Sequence, residues 1–84
     1  MIPIHKLLSR IQWDRDFGRG DFEIGYYDRI LDIIIRVPFS EIIIDPASRD
    51  VIKVMDPDGV IHSIPLHRIK EVYKDNELIW QRTH

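Results

Sequence analysis

Cysteine is absent from the 84 residues, so no disulfide and no thiolate metal site can staple the chain. A chain this short sits near the lower end of what folds unaided and must be held by apolar burial. No apolar run approaches the ~20 residues a membrane span needs. The opening MIPIHKLL lacks the charged-then-apolar layout of a secretion signal, so a cytoplasmic protein is expected. Net charge is only −2, which excludes a polycationic nucleic-acid coat; an RNA or DNA partner would have to be held at a local basic site, such as a chain end. His-x-x-x-His pairs and Glu-rich clusters are missing, and DPDG (56–59) lacks the further ligands of a calcium loop, so neither metal nor cofactor is expected. His62-Ser63-Ile64 resembles half of the His-x-Ser/Thr motif pair of two-histidine phosphoesterases, and no second such motif is found. GRGDF (18–22) contains an adhesion tripeptide, but without a secretion signal it reads as a loop.

What the chain has in quantity is isoleucine, sixteen in all, clustered in DIIIRV and EIIID. With much charge and few labile amides, this leans toward a thermophilic source. Pro3 suits a first helical position, and Ile4, Leu7, Leu8 and Ile11 recur at helical spacing, predicting a helix over 3–13. His5, Lys6 and Arg10 form its basic edge. Trp13 falls out of phase and reads as an anchor just past the helix end. Alternating patterns then predict strands at 22–27, 31–37, 42–45, 51–55, 60–64, 68–74 and 77–81. Asp45-Pro46 stops the third, DPDG closes a tight hairpin, and Asp75-Asn76 joins the last two. The expectation is one α+β domain over 1–84. Its N-terminal helix packs on a twisted antiparallel sheet, or on a small partly open barrel, of about six short strands.

IIRVPFSEI (34–42) and IHSIPLHRI (61–69) share the pattern Ile-x-x-(Val/Ile)-Pro-(Phe/Leu)-x-x-Ile at an offset of 27. Each reads as a strand ended by proline, one helical turn, and a new strand fixed by the last isoleucine. Proline pre-sets φ for such a turn and donates no ladder hydrogen bond. The copies differ where chemistry would sit: Ser40-Glu41 in the first, His67-Arg68 in the second. If the corners are equivalent, the second is the functional one.

Two accounts compete for each basic motif. In Tyr26-Tyr27-Asp28-Arg29, Arg29 is either a fork for a phosphate, oriented by Asp28 with a tyrosine as stacking surface, or an ion pair holding a sheet corner with Tyr26 in the core. In Pro65-Leu66-His67-Arg68, Arg68 either clamps phosphate oxygens beside a hydrogen-bonding His67 or lies over Trp80 while His67 serves local backbone. Alternation puts Trp80 in the core with Leu78 on its face, and leaves Arg82 in a frayed tail.

The order of Trp13-Asp14, Tyr26 to Arg29, Asp58-Gly59, Ile64 to Ile69 and Trp80 to Arg82 resembles a small archaeal family of formerly uncharacterised proteins known as an RNA-repair, or RNA cyclic-group end recognition, domain. The resemblance spans nearly the whole chain. It implies a non-catalytic module for processed RNA ends, including those with a 2′,3′-cyclic phosphate, working beside RNA-repair enzymes. On that reading Arg29 and Arg68 hold the terminal phosphate and His67 contacts the cyclic group or a ribose hydroxyl. Tyr27 supplies an aromatic surface, Asp28 orients an arginine, and Lys6 and Arg10 track the adjoining backbone. One rival is a small cyclic phosphodiesterase or ribonuclease using His67, with His62 as a second imidazole. Another is a subunit without nucleic acid, its arginines sequestered by carboxylates such as Asp28 and Glu23.

Overall fold

A computed structural model describes residues 2–45, 47 and 50–82. Helix α1 (Ile4–Trp13) buries Ile4, Leu7, Leu8 and Ile11, the stripe that the spacing predicts. Pro3 precedes the helix as its cap in extended backbone, and its carbonyl accepts from the N–H groups of Lys6 and Leu7 at 3.1 Å. Trp13 does not anchor anything: it is the last residue of α1 and 74% exposed. Two positions beyond Ile11 on a helix is a rotation of roughly 200°, which aims the indole away from the core.

Seven strands follow, in two antiparallel sheets. They are β1 (Phe22–Asp28), β2 (Ile33–Pro38), β3 (Ile42–Ile43), β4 (Val51–Met55), β5 (Ile61–Pro65), β6 (Ile69–Lys74) and β7 (Glu77–Gln81). The four-stranded sheet runs β2-β1-β6-β7 and the three-stranded one β3-β4-β5. The α+β expectation holds; in place of one sheet or partly open barrel of about six strands there are seven strands in two separate sheets. The proline corners explain the split. Pro38 ends β2, Phe39–Glu41 make one 3-10 turn, and Ile42 opens β3 in the other sheet. Pro65 ends β5, Leu66–Arg68 make the same turn, and Ile69 opens β6 back in the first sheet. The repeated motif is thus a pair of crossings between sheets. Pro46, expected to stop β3, lies outside the described residues.

The two sheets and α1 enclose one core. Ile24, Ile52, Ile69 and Val72 are fully buried at its centre, with Phe22, Val54, Ile64 and Trp80 around them. Phe22, Ile24 and Tyr26 share the inner face of β1, as period-2 alternation requires. Trp80 is buried, and its Nε1 donates to the Ile2 carbonyl at 2.9 Å, fastening the N-terminus to β7. Arg82 is not frayed: its backbone N–H donates to Lys70, and its guanidinium to the His67 carbonyl at 3.2 Å.

Two glycines have visible reasons. Gly59 takes φ +83° in the β4–β5 hairpin, where its N–H donates to the Asp56 carbonyl. Gly25 is buried in β1 next to a register shift against β6. A Cβ there would stand 2.9 Å from Ile34 Cγ2 and 3.0 Å from Glu71 Oε1.

The first hairpin departs from its predicted strand bounds. β2 begins at Ile33 rather than 31, because Asp28–Asp32 form a turn in which the Asp32 N–H donates to the Asp28 carbonyl and Asp32 adopts φ 56°. Leu31, expected on a strand, is exposed in that turn.

Candidate functional site

The β1–β2 turn and the second proline corner meet at a cleft of about 810 Å³. That volume is within the usual range for small-ligand sites, roughly 300–1,000 Å³. Tyr26, Tyr27, Asp28 and Arg29 line it from the turn side, Arg68 from the corner after β5, and Glu41 from the corner after β2. A second depression, of about 740 Å³ beside the Gly18–Asp21 loop, is lined by Asp21, Glu23 and Asp75 but by no basic residue. Of the two, only the first presents arginine side chains, those of Arg29, Arg36 and Arg68.

Local chemistry fixes how Arg29 is presented. Asp28 Oδ1 accepts from the backbone N–H groups of Ile30 and Leu31 at 2.9 and 3.1 Å, an aspartate turn that leaves Arg29 at its apex. Asp28 thus holds the turn that carries Arg29; among the described residues it makes no salt bridge to an arginine. The Tyr27 hydroxyl donates to Asp32 Oδ1 and braces the same turn from the other side. That bond, then burial, raises the Tyr27 pKa above the ordinary phenol value, so the hydroxyl stays protonated.

Arg29 is exposed and Arg68 half-buried, and neither belongs to a salt bridge among the described residues. The sheet-holding ion pair exists, but Arg36 makes it. Its Nη2 donates to Glu23 Oε1 at 2.6 Å and to Asn76 Oδ1 at 2.9 Å, and its guanidinium lies 3.7 Å from the Tyr73 ring centroid. Likewise the arginine near Trp80 is Arg82, at 5.2 Å, rather than Arg68. Period-2 alternation marks Arg36 as an outward residue of β2, but it takes the β1–β2 pairing to set Glu23 beside it and the β1–β6 pairing to add Tyr73.

Other predicted residues fall away from the cleft. His67 is exposed on the same corner as Arg68 but is not among the lining residues. Lys6 and Arg10 lie on α1, outside it; Arg10 faces Asp14 at 3.6 Å and covers the Phe17 ring at 4.2 Å. The histidine that does line the cleft is His62, whose Nε2 is 2.8 Å from Asp56 Oδ2. That contact, followed by the N–H of Val60, lowers the Asp56 pKa below the usual carboxylate value. Asp56 also closes the β4–β5 hairpin by accepting from the N–H groups of Asp58 and Val60.

Among the described residues, no helix is long and apolar enough to cross a membrane. No solved structure matches the chain. The model of one protein family, described as the MJ1316 RNA cyclic group end recognition domain, matches residues 1–82. With nearly every residue inside that match, the chain belongs to this family.

Proposed function

We propose that this protein binds RNA 3′ ends, including those closed as 2′,3′-cyclic phosphates, as an accessory to RNA repair or processing. The observation that carries the reading is that Arg29 and Arg68, remote in sequence, line one solvent-reachable cleft without carboxylate partners among the described residues. Two guanidinium forks on separate rigid turns suit the oxygens of a single terminal phosphate. The family name supplies the ligand class. Tyr27 offers the aromatic wall, and Asp28 holds the turn that carries Arg29. His67, exposed next to Arg68, serves a ribose hydroxyl at the rim. Lys6 and Arg10 would contact only RNA that continues past the terminal nucleotide. A net charge of −2 fits a partner gripped at one end rather than along its length.

The test is fluorescence anisotropy with one oligonucleotide carrying a 3′-hydroxyl, a 3′-phosphate or a 2′,3′-cyclic phosphate. Tighter binding of the phosphorylated ends is expected; equal affinity for all three would end the proposal. A second reading, ring opening of the cyclic phosphate, is favoured by the His62–Asp56 pair in the cleft wall. The same samples run on a denaturing gel decide it, since turnover lost in His62→Ala would make the protein an enzyme.

A further inference from the structure

The two proline corners present opposite charges at matching positions. Glu41 and Arg68 stand at the same place in the 27-residue repeat, each the last residue of its 3-10 turn. Both line the same cleft. They do not form an ion pair with each other. Opposite charges that face one cleft without pairing suit a ligand that is itself bipolar.

Beyond Glu41 the cleft continues into a smaller depression of about 500 Å³, lined by Ser40, Glu41, Ile43, Met55, Asp56 and Pro57. Four of these, Glu41, Met55, Asp56 and Pro57, also line the main cleft, so the two spaces share a wall. Ile43 is 43% and Met55 47% exposed, a large apolar surface that the core does not account for. Asp56 has its carboxylate engaged with His62 and the hairpin N–H groups, whereas Glu41 is exposed and takes part in no side-chain hydrogen bond or salt bridge among the described residues.

We propose that this depression is a nucleobase subsite for the terminal nucleotide, with guanine as the preferred base. The proposal rests on the end-binding reading given above. A nucleotide is anionic at its phosphate and rich in N–H donors at its base edge. With the phosphate at Arg29 and Arg68, the base reaches toward Glu41 and lies over Met55 and Pro57. An ionised carboxylate only accepts hydrogen bonds, and does so through two oxygens side by side. Guanine offers it two adjacent donors, the ring N1–H and the exocyclic amine. Adenine and cytosine offer one amine beside a ring acceptor, and uracil one ring N–H between two carbonyls. Single-stranded RNA exposes these edges, and thioether and proline surfaces take the flat face of a base. The matched corners would then read the two ends of one nucleotide.

The test is anisotropy on oligouridylates that differ only in the last residue (G, A, C or U), each prepared with a cyclic phosphate and with a 3′-hydroxyl. Guanosine ends should bind at least roughly tenfold tighter than uridine ends, the factor expected for hydrogen bonds to a charged acceptor. Glu41→Gln, an exposed substitution checked for folding by circular dichroism, should reduce the guanosine-over-uridine ratio to about twofold or less. A terminus effect without a base effect would overturn the subsite and leave end recognition standing. A base effect without a terminus effect would do the reverse. Equal tightening of all four ends by Glu41→Gln would mean that Glu41 merely repels the phosphate, and would also overturn the subsite.

Discussion

Arg29 and Arg68 should lose RNA affinity non-additively when both are removed. In the proposed mode each side chain would contribute charge-assisted bonds to one terminal phosphate, and such bonds are worth roughly 1.5–3 kcal/mol apiece. Arg29→Ala and Arg68→Ala should therefore each weaken binding of a cyclic-phosphate end by about tenfold to a hundredfold. Two or three such contacts would give the wild type about micromolar affinity at best, so the assay is anisotropy at protein concentrations up to the millimolar range. If the guanidiniums share the anion, loss of one loosens the phosphate for the other. The double variant should then lose less than the sum of the singles by at least about 0.5 kcal/mol. Neither arginine belongs to a salt bridge among the described residues, so folding stability should move by no more than about 0.5 kcal/mol, as a urea titration would show. Additivity within about 0.3 kcal/mol would refute the shared site. A large loss of stability in either single variant would show instead that the residue is structural.

Gly25→Ala should destabilise the fold by about 1 kcal/mol, because the new methyl meets Ile34 and Glu71 at 2.9 and 3.0 Å and the tighter unfolded chain offsets only part of that overpacking. The melting midpoint should fall by roughly 4–8 °C, and an unchanged or raised midpoint would contradict the packing around β1. Folding stability should also decline in acid. Asp14, stabilised first by the Phe17 N–H, and Asp56, stabilised first by His62, both have lowered pKa values in the fold. Their contribution is complete above the unfolded carboxylate value near ~3.9 and is lost as pH falls through the lower folded values. Urea midpoints measured from pH 6 to pH 2 should show this decline, shallower in Asp56→Asn; an identical pH profile for that variant would exclude the Asp56 contribution.

The features legible in the sequence are those set by local periodicity. The α1 stripe, the inner face of β1, the DPDG hairpin and both proline turns follow from spacing and turn chemistry over nine residues or fewer. The division into two sheets does not, since nothing local says that Pro38 and Pro65 carry the chain from one layer to another. The same limit separates Arg36 from Arg29. Arg29 follows β1 and Arg36 lies within β2, and the β1–β2 and β1–β6 ladders together bring Glu23 and Tyr73 beside Arg36. Trp13 differs for a simpler reason: as the last residue of α1 it points away from the buried stripe of Ile4, Leu7, Leu8 and Ile11 and is a surface group rather than an anchor. In the sequence His62 reads only as a second imidazole, because its partner Asp56 is reached across a hairpin rather than along a helix.

The whole three-stranded sheet is continuous in sequence and sits between two hairpins of the larger one. Each hairpin can form from near neighbours, whereas the β1–β6 ladder joins Phe22 to Lys74 across most of the chain, the kind of distant closure that slows folding. Arg29 rides on the first hairpin and Arg68 enters on the far side of that ladder. A molecule arrested before closure would own both guanidiniums yet have no place to hold an anion. An RNA end would thus select the completed chain, raising its apparent stability in step with ligand concentration.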